Sequence, residues 1–265
     1  MNSKYIFSTL SVFFHDKISL KGDENIKLQK YLQLCGFARR KADEYITSKR
    51  VIVNGKTVDE PWFEVNEDDN VLVDGKILKP NQFEYYVLHK PKDYVTTLFD
   101  PKQKKTIGEL IKHIKTPLKP AGRLDKDATG VLILTNDGEL IDILTSAKYK
   151  VKKEYIVKVK GIVSVEKLIK LKEGIYDKGD FLKLEHFKII EKSSDYSIVR
   201  VELIKGKKHE IKRLFSSIGH KVLELKRISH GPISISLVPN EGELRKIEGE
   251  KLKKLLVLKR IHVEK

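Results

Sequence analysis

The sequence predicts an α+β protein with two domains, a small α+β domain followed by a mixed, mainly antiparallel sheet with flanking helices. Two short helical patterns precede two hairpin signals in the first part of the chain. A proline-containing polar stretch follows them, and most of the elements predicted beyond it are strands. We therefore expect an N-terminal extension at 1–24, a small domain at 25–79 and a large domain at 80–265.

The first domain is expected to begin with two helices. Residues 26–48 place apolar side chains on one face of each of two helical segments. Gly36 separates the segments, and glycine can adopt the left-handed conformation that ends a helix. Two strand-like runs follow, with an Asn-Gly dipeptide at 51–56 (VIVNGK) and an Asp-Gly dipeptide at 71–76 (VLVDGK). Such dipeptides between apolar runs predict β-hairpins.

The second domain is expected to combine strands with a few helices. Its strand patterns alternate apolar and polar residues, as in EYIVKVK, which is typical of a half-buried strand. In order, we expect a strand ending at Pro91, a helix over 107–114, a strand over 131–134, a turn at 136–138, a helix over 139–144, a strand over 154–160, strands near 181–190, 196–204 and 222–236, and a helix over 208–217.

The charge balance favours a polyanionic partner. The 265 residues include 53 Lys and Arg against 37 Asp and Glu, a formal net charge of +16. Each phosphate that such a surface neutralises releases condensed counterions, so nucleic acid is the first candidate. An anionic membrane surface is the second, and a lysine-rich but merely solvated surface is the alternative.

The single cysteine and the N-terminus bear on the compartment. Cys35 has no cysteine partner in the chain, which excludes an intrachain disulfide and suits a reducing compartment. No apolar run approaches the roughly 20 residues that span a bilayer. The apolar stretch within 1–24 lacks a small-residue cleavage pattern, so we interpret it as a loosely ordered extension or a mis-assigned start and expect a cytoplasmic protein.

The first domain concentrates positive charge around its predicted helices. The basic residues concerned are Lys27, Lys30, Arg39, Arg40, Lys41, Lys49 and Arg50. Alone, such a run is often a solvated helix face. However, KLQKYLQLCGFARRKADEYITSKRVIVNGKTV resembles the S-four type of RNA-binding domain, named after a small-subunit ribosomal protein. The resemblance covers about 25–79 and implies that these residues contact RNA, apart from Lys49, for which we make no such assignment.

One loop carboxylate stands out in the second domain. Asp125 lies between Arg123 and Lys126, ahead of a buried strand, and nearby positive charge keeps a carboxylate ionised. It could serve as a nucleophile or general base, or form an ordinary structural salt bridge. Asp127 and Asp137 are rival carboxylates, but Asp137 belongs to an Asn-Asp-Gly sequence that is typical of turns.

The stretch around this carboxylate resembles a known signature. GRLDKDATGVLILTNDGEL (122–140) is similar to the motif of the RsuA/RluB-type ribosomal RNA pseudouridine synthases. The resemblance implies that Asp125 is the catalytic carboxylate and that Arg123 helps to hold the RNA. It also implies base flipping, cleavage of the bond between ribose and uracil, and rejoining of the base through carbon.

Two further motifs of the same family follow in order. KEYIV (153–157) resembles the strand whose tyrosine packs against the target base, a role that would fall on Tyr155, although tyrosines are common in half-buried strands. GKKHEIKRLF (206–215) resembles a later motif, which implies that Lys212 is the cationic partner of the aspartate and that Arg213 contacts RNA. Lys212 stands where relatives often have arginine, and lysine lacks the bidentate fork.

The sequence contains no motif that requires a cofactor. His209 and His220 have no partners at metal-ligand spacing, so we predict no metal site, and no phosphate loop or dinucleotide fingerprint is present. We expect a cofactor-independent isomerase that acts on ribosomal RNA as a monomer and does not associate with a membrane. The alternative function is a non-catalytic RNA-binding factor for ribosome assembly on the same fold.

Overall fold

The computed structural model describes residues 25–66 and 68–263, and the predictions made for 1–24 lie outside this range. The chain divides into two compact units between Phe83 and Glu84. The predicted boundary between 79 and 80 lies just before this division.

The first unit consists of two helices and short antiparallel strands, as predicted. Apolar side chains from both helices, Leu28 and Ile46 among them, are fully buried against valines of the strands. The strands pair in the order β3-β2-β5-β6, and β1 pairs with β4. The elements are β1 (Ile26–Lys27), α1 (Leu28–Leu34), α2 (Arg39–Thr47), β2 (Val51–Val53), β3 (Lys56–Val58), β4 (Glu64–Val65), β5 (Val71–Val73) and β6 (Lys76–Ile77).

Both predicted hairpins of this unit are confirmed. Asn54 and Gly55 have φ of 50° and 81°, and Asp74 and Gly75 have φ of 50° and 76°. Two successive positive φ values are the requirement of the type I′ turn, whose twist matches that of the flanking strands. Asn and Asp tolerate this conformation, which explains why these dipeptides connect β2 to β3 and β5 to β6.

The second unit contains the large sheet and the remaining helices. Its elements are β7 (Tyr85–Lys90), α3 (Ile107–Ile111), β8 (Lys119–Pro120), β9 (Thr129–Thr135), α4 (Gly138–Thr145), β10 (Lys153–Lys160), α5 (Val165–Glu173), β11 (Ile175–Asp177), β12 (Asp180–Leu182), β13 (His186–Lys192), β14 (Tyr196–Leu203), α6 (Glu210–Ser217), β15 (Val222–His230), β16 (Ile233–Ser234), β17 (Leu244–Lys246) and α7 (Gly249–Val263).

The main sheet runs in the order β13-β14-β10-β15-β9-β7-β17. Its pairs are antiparallel except β15 with β9, which is parallel. The predicted fold class, a mixed and mainly antiparallel sheet with flanking helices, is confirmed. The described helices are all too short or too polar to cross a bilayer.

Two helices of this unit were not predicted. The signals for α5 were present, because Ser164 accepts a hydrogen bond from the backbone N–H of Lys167 at its start and Gly174 ends it. In α7 the apolar residues do not collect on one face, and Val257 and Ile261 are exposed while Leu255 is buried. The predicted helix over 107–114 is shorter than expected and ends at Ile111.

The parallel pair brings two backbones unusually close. Gly130 in β9 pairs with Arg227 in β15 and has a φ of 111°. A Cβ atom at Gly130 would lie 2.1 Å from the carbonyl oxygen of Arg227. Only glycine fits here, for conformational and steric reasons together.

We predict that Gly130→Ala destabilises the protein by clearly more than Gly179→Ala. Gly179, in the β11–β12 turn, also has a positive φ (80°), but a Cβ there would meet no atom within 4 Å. The control therefore carries only the conformational strain of about 1–2 kcal/mol. Gly130→Ala adds a backbone clash, and urea unfolding of both variants measures the difference. Equal losses would contradict the close approach.

Candidate active site

A buried threonine holds the loop that contains Asp125 through hydrogen bonds on the N-terminal side of that residue. The Thr96 hydroxyl accepts a hydrogen bond from the Leu124 backbone N–H (3.2 Å) and donates one to the Leu124 carbonyl (2.7 Å). The Ala128 backbone N–H then donates to the Asp125 carbonyl (3.1 Å) and closes a turn before β9. Asp125 is thus held between two anchored residues.

A buried lysine holds the other side of the loop through hydrogen bonds to its backbone. Lys90, at the end of β7, is 0% exposed, and its ammonium donates to the carbonyls of Ala128 (2.7 Å), Pro91 (2.9 Å) and Lys126 (3.3 Å). Burial lowers the pKa of Lys90 to about 8, and nearby carboxylates oppose this shift only in part. Sequence reasoning did not single out Lys90, whose full burial is unusual for a lysine and is evident only in the fold.

Helix α6 brings a cation from a distant stretch of chain to Asp125. The Lys212 ammonium lies 3.1 Å from Asp125 Oδ2, and the His209 imidazole Nε2 lies 3.6 Å from Oδ1. His209 precedes α6 with a φ of 55°, an uncommon conformation for a non-glycine residue. The sequence proposed Asp125 and Lys212 as partners, and the structure has them at ion-pair distance.

Lys212 is shared between two carboxylates. Its ammonium is closer to Asp127, at 2.6 and 2.9 Å from the two oxygens, than to Asp125. Partial burial alone would lower the pKa of Lys212, but the hydrogen bonds to Asp127 and Asp125 outweigh burial and raise it. Burial likewise opposes the shift of Asp127, whose pKa is lowered by Lys212. The sequence did not reveal this second partner.

A cleft opens beside these charged groups. Its lining includes the polar groups of Arg123, Asp125 and Lys212 and the apolar parts of Tyr155 and Ile211. Tyr155, in β10, is 7% exposed and packs in the core cluster that also contains Leu124, Ala128 and Ile211. The arrangement suits a flat, partly apolar ring held against a carboxylate.

Arg213 has protein partners. Its guanidinium binds the carboxylates of Asp177 and Asp180, the latter at 2.9 Å, and also donates to the Asp177 carbonyl. These contacts connect α6 to the hairpin formed by β11 and β12. The side chain is 14% exposed. The arrangement favours a structural role for Arg213 over the RNA contact predicted for it.

The seven basic residues predicted to matter in the first unit fall into two groups. Lys41 pairs with Glu44 (2.7 Å), Lys49 with Asp59 (3.6 Å), and Arg50 with Asp74. These ion pairs neutralise part of the charge. The remaining members of the predicted set are exposed, namely Lys27, Lys30, Arg39 and Arg40.

Two other candidates have structural contacts. Asp137 is 1% exposed and caps α4, where its carboxylate accepts from the Leu140 backbone N–H (3.2 Å) and pairs with Lys259 (2.9 Å). His220 Nδ1 lies 2.9 Å from the Lys160 carbonyl. Within 25–66 and 68–263, no group of three His, Cys, Asp or Glu side chains is arranged to hold a metal ion.

Glu210, to which the sequence assigned no role, lies in the wall of the cleft. It is 4% exposed, and its carboxylate accepts a hydrogen bond from the Lys207 backbone N–H (2.8 Å). Burial raises its pKa against the opposing effect of this hydrogen bond and of nearby cations. Glu210 therefore stabilises the turn that presents His209 and Lys212.

Two family models match the chain. The model described as RNA pseudouridylate synthase matches residues 84–217, and the model described as S4 domain matches residues 26–71. The first match contains the Asp125 loop, Tyr155 and Lys212. The second contains the seven basic residues of the first unit that were singled out from the sequence.

Curated relatives and a solved structure agree with these matches. An uncharacterized RNA pseudouridine synthase of Aquifex aeolicus is 40% identical over 84% of this chain and 93% of its own length. The ribosomal large subunit pseudouridine synthase B of Bacillus subtilis is 34% identical (88% and 96%), and the ribosomal small subunit pseudouridine synthase A of Escherichia coli K12 is 29% identical (86% and 98%). A crystal structure of a pseudouridylate synthase superposes with a TM-score of 0.61 at 27% identity, covering 87% of this chain and 99% of that one.

The buried Lys90 should make stability depend on pH. Its pKa is about 8 in the folded chain and near the ordinary 10.5 in the unfolded chain. The unfolded state therefore binds more protons in this interval, and stability rises with pH. Between about pH 7 and about pH 10, the unfolding free energy of the wild type should rise by about 2–3 kcal/mol relative to Lys90→Met.

Urea unfolding at both pH values measures this difference. Lys92→Met is the matched control, because Lys92 is exposed and two residues away. The control should follow the wild type at both pH values. A constant difference between wild type and Lys90→Met would show that the lysine titrates normally and is not held in a buried site.

Proposed function

Because the chain belongs to the RNA pseudouridylate synthase family, we propose that it isomerises a uridine of ribosomal RNA to pseudouridine with Asp125 as the catalytic carboxylate. The observation that carries the proposal is the contact between Asp125 and Lys212 at 3.1 Å, in a cleft that also contains Tyr155. Ribosomal RNA is inferred as the substrate from the relatives, which are named as large- and small-subunit ribosomal enzymes.

The reaction exchanges one bond of the ribose for another. The bond from C1′ of the ribose to N1 of uracil breaks, the base rotates, and C1′ bonds to C5, which loses its proton while N1 gains one. Asp125 either adds to C1′ or removes the proton from C2′ to give a glycal. Both routes need an ionised carboxylate at the sugar, and the Lys212 ammonium lies 3.1 Å from Asp125 Oδ2.

The substrate base has to leave its stack before the carboxylate can reach the sugar. Flipping a nucleotide costs a few kcal/mol. We propose that Tyr155 and Ile211 hold the flipped uracil, since base–aromatic stacking contributes about 1–3 kcal/mol. Arg123, which is exposed and lines the cleft, is proposed to hold the RNA strand there.

We propose that the first unit binds RNA mainly through Arg39, Arg40, Lys27 and Lys30. All six cations are exposed, but Lys41 and Arg50 have carboxylate partners. Phosphate contacts of this kind fix the position of an RNA without reading its sequence. We place the protein in the cytoplasm, in line with its single cysteine, and propose that it acts as a monomer. The non-catalytic alternative is not favoured, because the cleft retains both carboxylate and cation.

Asp125→Asn should abolish pseudouridine formation. The substitution keeps the shape of the side chain but removes the charge, and loss of a catalytic acid or base lowers rates by about 100-fold or more. The measurement is pseudouridine mapping after incubation of the purified protein with unmodified ribosomal RNA. Full activity of Asp125→Asn would contradict the assignment.

Two further variants provide comparisons for the activity of Asp125→Asn. Asp93→Asn is the neutral control, since Asp93 is exposed and only its backbone N–H contacts the same loop. Asp127→Asn should have an intermediate effect, because removing a partly exposed ion-pair partner of Lys212 shifts energies by about 1 kcal/mol, or about fivefold in rate. A wild type that binds this RNA without forming pseudouridine would support the non-catalytic function.

Arg39→Ala with Arg40→Ala should weaken RNA binding and its salt dependence. Each lost phosphate contact lowers the slope of log K against log salt by about 0.7 for single-stranded RNA. Lys41→Ala with Arg50→Ala is the matched control and should have a smaller effect, since both cations already have carboxylate partners. An unchanged slope for the first pair, measured by fluorescence anisotropy over a salt series, would remove the proposed role of this surface.

A further inference from the structure

A loop beside the cleft presents a phenylalanine to solvent. The segment Val95–Thr106 connects β7 to α3, and its two ends meet in an isolated β-bridge. Phe99 lies within this loop and is 79% exposed. Single exposed apolar side chains are common on protein surfaces, so the meaning of this one depends on how its loop is held and on the charges around it.

The loop backbone around Phe99 is held in place. The Thr97 hydroxyl donates to the Phe99 carbonyl (3.0 Å), and the Thr97 carbonyl accepts from the Gly108 backbone N–H (3.3 Å). A Cβ at Gly108 would lie only 1.8 Å from the Leu98 carbonyl oxygen, so the loop packs directly on the start of α3. Phe99 is therefore presented by a fixed backbone.

The same loop is joined to the loop that carries Asp125. Thr96, three residues before Phe99, makes both hydrogen bonds to the backbone of Leu124. Farther along, the Gln103 amide oxygen accepts from the Lys126 ammonium (3.1 Å). Thr96 and Gln103 thus join the loop that contains Phe99 to the residues on either side of Asp125.

The surroundings of Phe99 are basic. The loop contains Lys102, Lys104 and Lys105, all exposed, against one acidic residue, Asp100. The Asp100 carboxylate already accepts a hydrogen bond from the Lys102 backbone N–H (2.8 Å). An aromatic ring among exposed lysines is the combination that binds single-stranded nucleic acid, because the ring stacks on a base and the cations contact phosphates.

We propose that Phe99 is a stacking platform for an unpaired nucleobase next to the target uridine, with Lys102 and Lys104 contacting the adjoining phosphates. The proposal rests on the proposed function, because it assigns a contact to the same RNA substrate. A base that flanks the flipped uridine loses one stacking neighbour, and Phe99 replaces that neighbour. The fixed loop lowers the entropy lost on binding, since the ring is already in place.

The test compares base-containing and abasic RNA. Binding of a fluorescein-labelled single-stranded oligouridylate, and of the same oligonucleotide with abasic ribose units, is measured by anisotropy for wild type and Phe99→Ala. The variant should bind the oligouridylate about 5- to 150-fold more weakly, the range that corresponds to about 1–3 kcal/mol of stacking. Its affinity for the abasic RNA should equal that of the wild type, since only the stack is lost.

Matched variants separate stacking from other effects. Phe99→Trp should bind the oligouridylate at least as well as the wild type, and Ile190→Ala, which truncates an exposed apolar residue of β13, should leave binding unchanged. Phe99→Ala should not change the salt slope, whereas Lys102→Ala should lower it. Because Phe99 is largely exposed, its replacement should also leave the urea midpoint unchanged.

Two outcomes would overturn the proposal. Unchanged affinity of Phe99→Ala for the oligouridylate would show that the ring contacts no base. Equal losses for base-containing and abasic RNA would show that Phe99 acts through the fold of the loop.

Pseudouridine formation on unmodified ribosomal RNA is scored separately. If the wild type forms no pseudouridine but the base-dependent effect of Phe99→Ala persists, the proposed function fails and the stacking site stands. If the wild type is active and Phe99→Ala retains full affinity, only the stacking site fails.

Discussion

The ion pairs of Lys212 with two carboxylates are the interaction on which the site depends. Asp125 and Asp127 would repel each other across a short loop, and the Lys212 ammonium between them offsets that repulsion. The same contacts raise the pKa of Lys212 against the effect of partial burial, so the cation stays charged. Lys212 lies on α6, whereas both carboxylates lie on the loop before β9. The ion pairs therefore form only if α6 is held against that loop.

The rest of the unit provides that constraint. Thr96 and Lys90 hold the loop through its backbone carbonyls and N–H groups, and Arg213 holds α6 through the carboxylates of the β11–β12 hairpin. Buried polar groups are unfavourable unless they are hydrogen-bonded, and these three are well supplied with partners. Lys90 is the clearest case, since its fully buried ammonium donates hydrogen bonds to three carbonyl groups around the loop.

The cleft combines charged and apolar groups that suit different parts of a nucleotide. Its charged residues are proposed to contact the sugar and phosphate of a flipped nucleotide, and Tyr155 and Ile211 are proposed to contact the base. The same division is repeated on the surface by Phe99 and the lysines of its loop. Charged groups supply attraction that weakens with salt, while aromatic rings supply contacts that do not depend on salt.

The sequence by itself determined the features that depend on neighbouring residues. Hairpins follow from the Asn-Gly and Asp-Gly dipeptides and strand β10 from its alternation, and the prediction of Asp125 as the catalytic carboxylate comes from a contiguous motif. Only the tertiary structure decided that Lys212 is shared with Asp127, 85 residues away, and that Arg213 is bound by the β11–β12 hairpin. Contacts between such distant residues leave no periodic pattern in the chain, because they arise only when packing brings separate elements together.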